Sequence, residues 1–297
     1  MRPLPLFFAL LGAPLAAAAS PAAPCVTVTH AAGQTCVPRQ PLRIVTLDTG
    51  ELDVVLALGL RPVGAAQTNA DGFPNYLKAS LGGVPGVGLV SQPSLERIAA
   101  LSPDLILANG TRHARLYAQL SAIAPTVVNA DTGADWKADL KFYARVLGRE
   151  ARASALLTGH LAEVKRLHQK LGAARPRTTF SVVQFHPSVT RIMLRGSFIG
   201  SVLNDLSLQR PAPQRGPGVF LPISAEQLPL ADATYLFYAP MGTANQAAAF
   251  RASPLWARLG AVQAGRVREV DPDHWIYGFN ILAVRRIVQD IEKAVSP

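Results

Sequence analysis

The feature that most limits the fold of this chain is one long helical stretch set between alternating strands and helices. Ala, Leu, Lys, Glu and Arg dominate residues 135–171, and only Gly148 interrupts their helical periodicity. Before this stretch, short apolar runs such as 43–47 and 104–108 alternate with segments that are apolar at helical spacing, and strands resume after Pro176. Such an alternation predicts parallel sheets with helices on both faces.

The pattern divides the chain into four predicted segments. They are a signal peptide (1–19), an N-terminal α/β lobe with an N-terminal hairpin (20–135), a linking backbone helix (136–172) and a C-terminal α/β lobe (173–297). The predicted fold class is therefore α/β, with two Rossmann-like lobes joined by a long helical backbone. A helical connection is stiff, and the cleft between two domains is a common place for small ligands to bind.

The beginning of the chain has the composition of a cleavable secretory signal. Arg2 precedes an apolar stretch that ends in four alanines, so we expect cleavage near Ala19 and export to the periplasm. A membrane-spanning helix is disfavoured because the stretch is short and contains Pro5 and Pro14. A lipid anchor is disfavoured because a proline, and not a small residue, precedes Cys25.

Composition excludes several classes of protein. Of the 297 residues, 49% are hydrophobic, which is too many for a disordered chain. Lys and Arg outnumber Asp and Glu by 29 to 19, but the basic residues are scattered and form no RNP1-like or zinc-finger pattern. We therefore expect no nucleic-acid partner. The positive charge suits a solvated surface or an anionic small ligand.

The two cysteines bracket a short predicted hairpin. Cys25 and Cys36 enclose alternating Val and Thr residues followed by Ala-Ala-Gly, which is typical of two strands and a turn. The hairpin brings both thiols together, and an oxidising compartment favours a disulfide that staples it. Two unpaired thiols are the alternative.

A short motif occurs once in each predicted lobe. Ser-Leu-Glu at 94–96 and Ser-Ala-Glu at 224–226 each precede an apolar strand at the same offset. A capping serine with a glutamate in the first helical turn explains either motif alone. As a pair, Glu96 and Glu226 form two equivalent acidic points, which suit a two-fold symmetric partner with basic residues.

The first of these motifs belongs to a longer run, Ser-Leu-Glu-Arg-Ile-Ala-Ala-Leu-Ser-Pro-Asp-Leu-Ile at 94–106. This run resembles the helix-then-strand signature of periplasmic iron-siderophore-binding proteins, the substrate-binding components of ABC importers. Further stretches similar to that family are 41–45, 58–64, 112–113, 123–127, 196–203, 254–256 and 270–275. The stretches 111–113 and 200–203 look most like those of ferric-dicitrate binders, whereas the loops 48–51 and 186–188 depart from them.

The resemblance implies a receptor and not an enzyme. It implies capture of a ferric chelate, with ferric dicitrate as the most specific expectation, and delivery to the permease dimer of an ABC importer. Glu96 and Glu226 would dock onto arginines of that permease. Iron would be bound only as its chelate, so no cofactor and no metal-ligating residues are expected. The receptor is expected to be a monomer whose lobes close only slightly.

The residues themselves indicate where an anion would bind. Arg112 follows the predicted strand 104–108, and loops at the carboxyl ends of parallel strands form the expected binding edge. Its guanidinium suits a carboxylate, and an exposed loop arginine is the alternative. His113 either assists in binding or is structural. Arg191 and Arg195 share one face of a predicted strand, and that face must meet either water or an anion.

Three further residues complete the predicted binding site. His186 ends a predicted strand, and Trp275 and Tyr277 follow another, where residues 271–275 resemble the aromatic-bearing cleft loop of the family. Aromatic residues in such a loop can line a ligand and donate hydrogen bonds to it, and core packing beneath the loop is the alternative.

Other functions stay open at this stage. Heme, a corrinoid or a hydroxamate siderophore could replace ferric dicitrate as the ligand. A receptor for free metal ions is disfavoured because the six histidines are scattered, and His160 and His168 on the long helix are interpreted as solvated. A secreted hydrolase using the same cleft is disfavoured because neither Gly-x-Ser-x-Gly nor His-Glu-x-x-His occurs.

Overall fold

The computed structural model describes residues 25–69, 72–130, 134–241 and 245–296. The predicted signal peptide, 1–19, lies outside the described residues. Within the described part, no helix is long and apolar enough to cross a membrane.

A hairpin of two strands, β1 (Cys25–His30) and β2 (Gly33–Pro38), precedes the N-terminal lobe. The strands pair antiparallel, and a disulfide joins Cys25 to Cys36. The Cα atoms of the two cysteines are 5.5 Å apart, a separation that is usual for a disulfide. The predicted staple is therefore confirmed.

The N-terminal lobe is built on a mostly parallel sheet. Its strands are β3 (Ile44–Thr46), β4 (Gly64–Gln67), β5 (Gly86–Leu89), β6 (Gln92–Pro93), β7 (Leu105–Asn109) and β8 (Thr126–Asn129). They lie in the order β6-β5-β4-β3-β7-β8, with β6 antiparallel to β5. The central strands β3 and β7 are buried along their whole length, which explains why both are continuous apolar runs in the sequence.

The hairpin covers the β8 edge of this sheet. The Thr35 hydroxyl donates a hydrogen bond to the Thr126 carbonyl over 3.0 Å, and the Ala31 N–H donates to the Val128 carbonyl over 3.0 Å. The edge strand is thus protected from pairing with another chain.

The C-terminal lobe has a mixed sheet. Its strands are β9 (Phe180–His186), β10 (Val189–Met193), β11 (Phe220–Ile223), β12 (Tyr235–Pro240) and β13 (Val267–Glu269). They lie in the order β11-β10-β9-β12-β13. Strands β9, β12 and β13 are parallel, and β10 is antiparallel to both of its neighbours.

The helices pack on the faces of the two sheets. In the first lobe they are α1 (Thr49–Ala57), α2 (Asn75–Lys78), α3 (Leu95–Ala100), α4 (Gly110–His113) and α5 (Tyr117–Ile123). The backbone is formed by α6 (Trp136–Val146) and α7 (Glu150–Leu171). In the second lobe they are α8 (Phe198–Asp205), α9 (Asn245–Ala252), α10 (Pro254–Ala257), α11 (Gly260–Gln263), α12 (Pro272–Trp275) and α13 (Ile281–Val295).

The predicted backbone helix is two helices, α6 and α7. Gly148 separates them and has a φ of +63°, a left-handed conformation that glycine adopts without steric cost. Gly148, which interrupts the helical pattern of the sequence, therefore marks a break between two helices.

One continuous apolar core joins the two lobes. It includes Val54 and Leu105 of the first lobe, Tyr143 of α6, and Phe237 and Ile287 of the second lobe. Because both lobes pack on the same helices, the backbone fixes their relative position.

His160 and His168 on α7 contact the end of α8 and the residue that follows it. The prediction that both are solvated is wrong. His160 is fully buried, with its Nε2 atom 2.5 Å from Asp205 Oδ2 at the end of α8. His168 Nε2 lies 2.7 Å from the Leu206 carbonyl. Burial alone would raise the pKa of Asp205, but hydrogen bonds from His160 and Lys137 outweigh burial and hold that pKa below its usual value.

The two Ser-x-Glu motifs differ in local structure. Ser94 caps α3 as predicted, because its hydroxyl accepts a hydrogen bond from the Arg97 N–H. Ser224 instead donates to the Glu226 carboxylate over 2.6 Å, and residues 224–227 form a turn. The predicted helix start is therefore correct only in the first lobe.

Candidate ligand-binding cleft

A cavity of about 770 Å³ lies between the two lobes. Its first wall comes from residues that follow β3, β4, β5 and β7. Its second wall comes from the ends of β9 and β12 and from residues between 272 and 279. Ligands of open α/β sheets bind beyond the carboxyl ends of the strands, and here two sheets present such ends to one cavity.

Arg112 lines this cleft from the short helix α4. Asn109, the last residue of β7, caps the helix by accepting hydrogen bonds from the N–H groups of Thr111 and Arg112. Arg112 Nε lies 2.9 Å from Asp48 Oδ2, and the side chains of Arg112 and Asp48 are 42% and 2% exposed. The ion pair aligns the guanidinium and leaves its other N–H groups for a ligand.

His113 does not line the cleft, although it is adjacent to Arg112. It is 1% exposed. Its Nδ1 accepts a hydrogen bond from the Asn109 N–H over 3.1 Å, and its Nε2 lies 2.8 Å from the Val90 carbonyl. Because both ring nitrogens are engaged by the backbone, His113 positions the loop, which corrects the prediction that it contacts the ligand.

Trp275 also lies in the core. It is fully buried, stacks on Phe237 with 4.6 Å between ring centroids, and donates from Nε1 to Asp290 over 3.1 Å. The prediction that it lines the ligand is therefore corrected. The sequence around Trp275 could not predict this burial, because its two partners, Phe237 and Asp290, belong to other elements of the lobe.

Tyr277 and His186 do line the cleft. The Tyr277 hydroxyl accepts a hydrogen bond from Gln184 Nε2 over 3.1 Å, which fixes the ring at the second wall. His186 ends β9, and its Nδ1 accepts a hydrogen bond from the Ser188 N–H over 3.3 Å. The structure thus brings Arg112 of one lobe and these two residues of the other to one cavity.

Arg191 and Arg195 lie on the second lobe, outside the lining of this cavity among the described residues. Arg191 faces Gln184 across the strand pair β9–β10, and its guanidinium lies 4.4 Å from the centre of the Phe220 ring. Arg195 is exposed and follows β10, which begins and ends two residues earlier than the predicted strand 191–195. Arg191 therefore lies opposite Gln184 in the strand register, and the Gln184 side chain donates to the cleft-lining Tyr277.

Two buried carboxyl groups support the first wall. Burial raises the pKa of Asp48, and the charge of Arg112 opposes this rise. Glu51, one turn further on, is 3% exposed and accepts a hydrogen bond from the Tyr143 hydroxyl over 2.7 Å. Burial and the nearby charge of Asp48 raise the pKa of Glu51 to about 8. At neutral pH Glu51 is therefore mostly uncharged and does not repel an anion.

Asp53 joins the lobes behind the cleft. Its carboxylate accepts hydrogen bonds from the N–H groups of Leu282 and Ala283, each over 2.9 Å, and from the Tyr76 hydroxyl over 3.0 Å. A residue of α1 thus caps α13 of the other lobe. Burial raises the pKa of Asp53 to about 7, even though these three hydrogen bonds favour the charged form.

A second contact between the lobes lies beside the cleft. The Asn75 N–H donates to Asp273 Oδ2 over 2.8 Å, and the Asn75 side chain donates to Asp271 Oδ2 over 3.2 Å. Asp273 itself lines the cavity. The two lobes are therefore hydrogen-bonded to each other at a residue that lines the cleft.

Phe279 and Asp48 are cleft residues that sequence reasoning missed. Phe279 has a φ of +58°, rare for a residue with a side chain, and a Cβ on Gly50 would approach the Phe279 Cβ to 3.2 Å. No sequence signal marks this conformation. Asp48 had a signal, because it directly follows a buried strand whose carboxyl end forms the binding edge.

Comparison with known proteins places this architecture in a family. The family model described as "Periplasmic binding protein" matches residues 44–274. The chain belongs to this family. It is 36% identical over 281 residues to the probable siderophore-binding lipoprotein YfiY of Bacillus subtilis, covering 90% of this chain and 86% of that protein.

Two further similar proteins have names or complexes that identify a ligand. The chain is 30% identical over 273 residues to the Fe(3+) dicitrate-binding periplasmic protein FecB of Escherichia coli, covering 90% of this chain and 89% of that protein. Its fold is similar to that of Staphylococcus aureus SirA complexed with staphyloferrin B, with 28% identity, a TM-score of 0.81, and coverage of 91% and 98%. The predicted family and the predicted α/β fold class are confirmed. Because YfiY is a lipoprotein, the cleavable signal peptide stays a prediction.

We predict that Glu51→Gln flattens the pH dependence of stability. Between pH 4.5 and about 8, Glu51 loses its proton in the unfolded chain but keeps it in the folded protein. The free energy of unfolding therefore falls as the pH rises through this window, on the order of a few kcal/mol for this one group. Glutamine keeps an acceptor for Tyr143 and cannot ionise, so the variant loses less stability.

Urea unfolding at several pH values between about 5 and 8 measures this difference. Glu150→Gln, at an exposed position, is the control and should keep the pH dependence of the parent. An equal pH dependence in Glu51→Gln and the parent contradicts the assignment.

Proposed function

We propose that this protein is the binding component of an ABC importer and captures a ferric chelate in the cleft between its lobes. The observation that carries the proposal is the cavity of about 770 Å³ at the strand ends of both sheets, with the Arg112 guanidinium on its wall. The relatives support it, since their names record a siderophore, Fe(3+) dicitrate and staphyloferrin B. Ferric dicitrate is the first candidate ligand.

Donors on opposite walls supply the binding chemistry. Arg112 offers its remaining guanidinium N–H groups from the first lobe, held in place by Asp48. The Tyr277 hydroxyl accepts from Gln184, so its own proton is available to an anion from the second lobe. His186 adds a ring nitrogen on the same wall. These groups would bind the carboxylates and hydroxyls of a chelate while the iron stays inside it.

Glu96 and Glu226 form the proposed contact with the permease. Both side chains are exposed, one in the first turn of α3 and the other in the turn after β11. A hydrogen bond from Ser224 holds the pKa of Glu226 below its usual value, which favours the charged form. One exposed carboxylate on each lobe suits basic residues on a permease of two subunits.

A titration of the exported protein tests the ligand. We predict saturable quenching of tryptophan fluorescence by ferric dicitrate at micromolar or lower concentrations, and none by iron-free citrate. Arg112→Ala should weaken binding about tenfold or more, because it removes charge-assisted hydrogen bonds. Arg115→Ala, an exposed neighbour on the same segment, is the matched control and should bind normally.

The other ligands left open by the sequence are tested in the same assay. Saturation by heme, a corrinoid or a neutral ferric hydroxamate, with no response to ferric dicitrate, would support a receptor function with a different ligand. The absence of a response to every ferric chelate would contradict the proposed function.

Docking is tested by a double variant. Glu96→Ala combined with Glu226→Ala should leave the affinity for the chelate unchanged, because both residues lie outside the cleft lining. Uptake of iron-55 supplied as the chelate should fall towards that of cells without the receptor. Glu150→Ala, also exposed, is the control. Normal uptake by the double variant contradicts docking through these residues.

A further inference from the structure

Two carboxyl groups are buried together at the first wall of the cleft. Asp48 lines the cavity, Glu51 lies in the first turn of α1 behind it, and each residue is 3% exposed. The Oε2 atom of Glu51 is buried with no hydrogen-bond partner in the described part of the chain. A buried carboxylate is costly unless a cation or several donors compensate its charge. The charge of this pair therefore depends on the groups that surround it.

The surroundings supply one cation for the two carboxyl groups. Arg112 Nε lies 2.9 Å from Asp48 Oδ2, and no lysine or arginine of the described residues forms a salt bridge with Glu51. His113, next to Arg112, is neutral. Its Nδ1 accepts a hydrogen bond from the Asn109 N–H, so the ring proton is on Nε2, which faces the Val90 carbonyl. Burial also lowers the pKa of His113.

The helix α6 adds no positive charge beside Glu51. The Tyr143 hydroxyl donates to Glu51 Oε1 over 2.7 Å, and Asp139 of the same helix contributes a further acidic group. The strands β3 and β7, which also pack on α1, carry no titratable side chain. Glu51 therefore has one neutral donor and two acidic neighbours, Asp48 and Asp139.

The helix α13 also packs on α1, and Asp53 of α1 accepts the N–H groups of its first turn. The charged side chains of α13 are exposed or form salt bridges with other partners: Arg285 with Glu163, Asp290 with His274, Glu292 with Arg166, Lys293 with Asp290, and the exposed Arg286. None of these salt bridges compensates a charge on Glu51.

Two buried carboxyl groups with one cation are expected to hold one proton between them. Asp48 has the Arg112 guanidinium and also accepts a hydrogen bond from the Thr49 N–H over 2.7 Å, whereas Glu51 has a single hydroxyl donor. The negative charge is better compensated on Asp48, so the proton belongs on Glu51. In agreement, burial and the charge of Asp48 raise the pKa of Glu51 to about 8.

An anion in the cleft changes this balance. Arg112 lines the cavity, so an anion bound beside it brings a second negative charge close to the buried pair. That charge disfavours ionisation of Glu51, and by reciprocity an ionised Glu51 disfavours the anion. A neutral ligand brings no such charge and is not subject to this coupling.

We propose that Glu51 is a positioning residue that acts through Asp48 and Arg112: an anionic chelate binds while Glu51 is protonated, and loss of that proton weakens binding. This inference rests on the proposed function and adds proton uptake to it. Glu51 is not among the described residues that line the cavity, so it acts through its charge and not by contact.

The affinity for ferric dicitrate between about pH 6 and pH 9 tests the inference. Below about pH 7, Glu51 keeps its proton with and without the ligand, so affinity should be constant. As the pH rises through about 8, the ligand-free protein loses the proton and affinity should fall, about tenfold by pH 9. Glu51→Gln cannot ionise and keeps an acceptor for Tyr143, so it should lack this fall. Glu150→Gln, at an exposed position, should keep the profile of the parent.

Two further readouts separate this role from a structural one. Tyr143→Phe removes a hydrogen bond that lowers the pKa of Glu51, so the fall in affinity should move to higher pH. Calorimetry at about pH 8 in buffers of different ionisation enthalpy should show proton uptake on binding by the parent and less by Glu51→Gln. A purely structural role would change affinity equally at every pH. All proteins receive the same ligand solutions, so changes of the chelate with pH affect them equally.

Equal pH profiles and equal proton uptake in the parent and Glu51→Gln would overturn the inference while leaving the proposed function intact. Should Glu51→Gln not fold, Tyr143→Phe decides, and an unmoved profile overturns the inference.

If the parent binds no ferric chelate at any pH, the proposed function fails, and the coupling is decided with iron-free citrate at millimolar concentration. A rise in melting temperature at pH 7 that is lost at pH 9 in the parent but kept in Glu51→Gln supports it. The same response in both proteins, or none in either, overturns it.

Discussion

The carboxylate of Asp53, which accepts the first N–H groups of α13, is the interaction on which the arrangement of the two lobes depends. It reaches from α1 of the first lobe to Leu282 and Ala283 of the second, and Tyr76 donates to it as well. A buried helix end without an acceptor would leave several backbone donors unsatisfied. Since α13 also packs along α7, this cap connects both lobes to the backbone helices. Under the proposed function, a cleft held in this way would be formed before a ligand arrives, and little binding free energy would be lost in assembling it.

The first wall of the cleft carries little unpaired negative charge. Arg112 lies against Asp48, and burial keeps Glu51 mostly protonated at neutral pH, so Glu51 adds no negative charge that would repel an anion. Under the proposed function, the ion pair with Asp48 orients the Arg112 guanidinium, and the remaining N–H groups of that guanidinium bind the chelate. A planar guanidinium with a fixed geometry also discriminates between chelates by the position of their carboxylates.

The sequence predicts those features that are determined within a single segment. Buried parallel strands are continuous apolar runs, and Arg112 lines the cleft because it follows one of them. Features that depend on distant partners were not predictable. The sequence pattern places Trp275 and His113 in loops, but their partners, the core around Phe237 and the Val90 carbonyl, come from other elements. The role of Asp53 had no local pattern at all, since a carboxylate acquires its role from what the fold places around it.

The central claim is that a preformed cleft, held by the Asp53 cap, captures the chelate with little movement of the lobes. Distances between spin labels at positions 97 and 258, exposed sites on opposite lobes, test it most directly. Gallium(III) dicitrate serves as the ligand because it is diamagnetic. The account predicts one narrow distance distribution that shifts by less than about 3 Å at saturation, and a broader one in Asp53→Ala. Two separate populations in the ligand-free protein, or a shift of about 10 Å on binding, would contradict it.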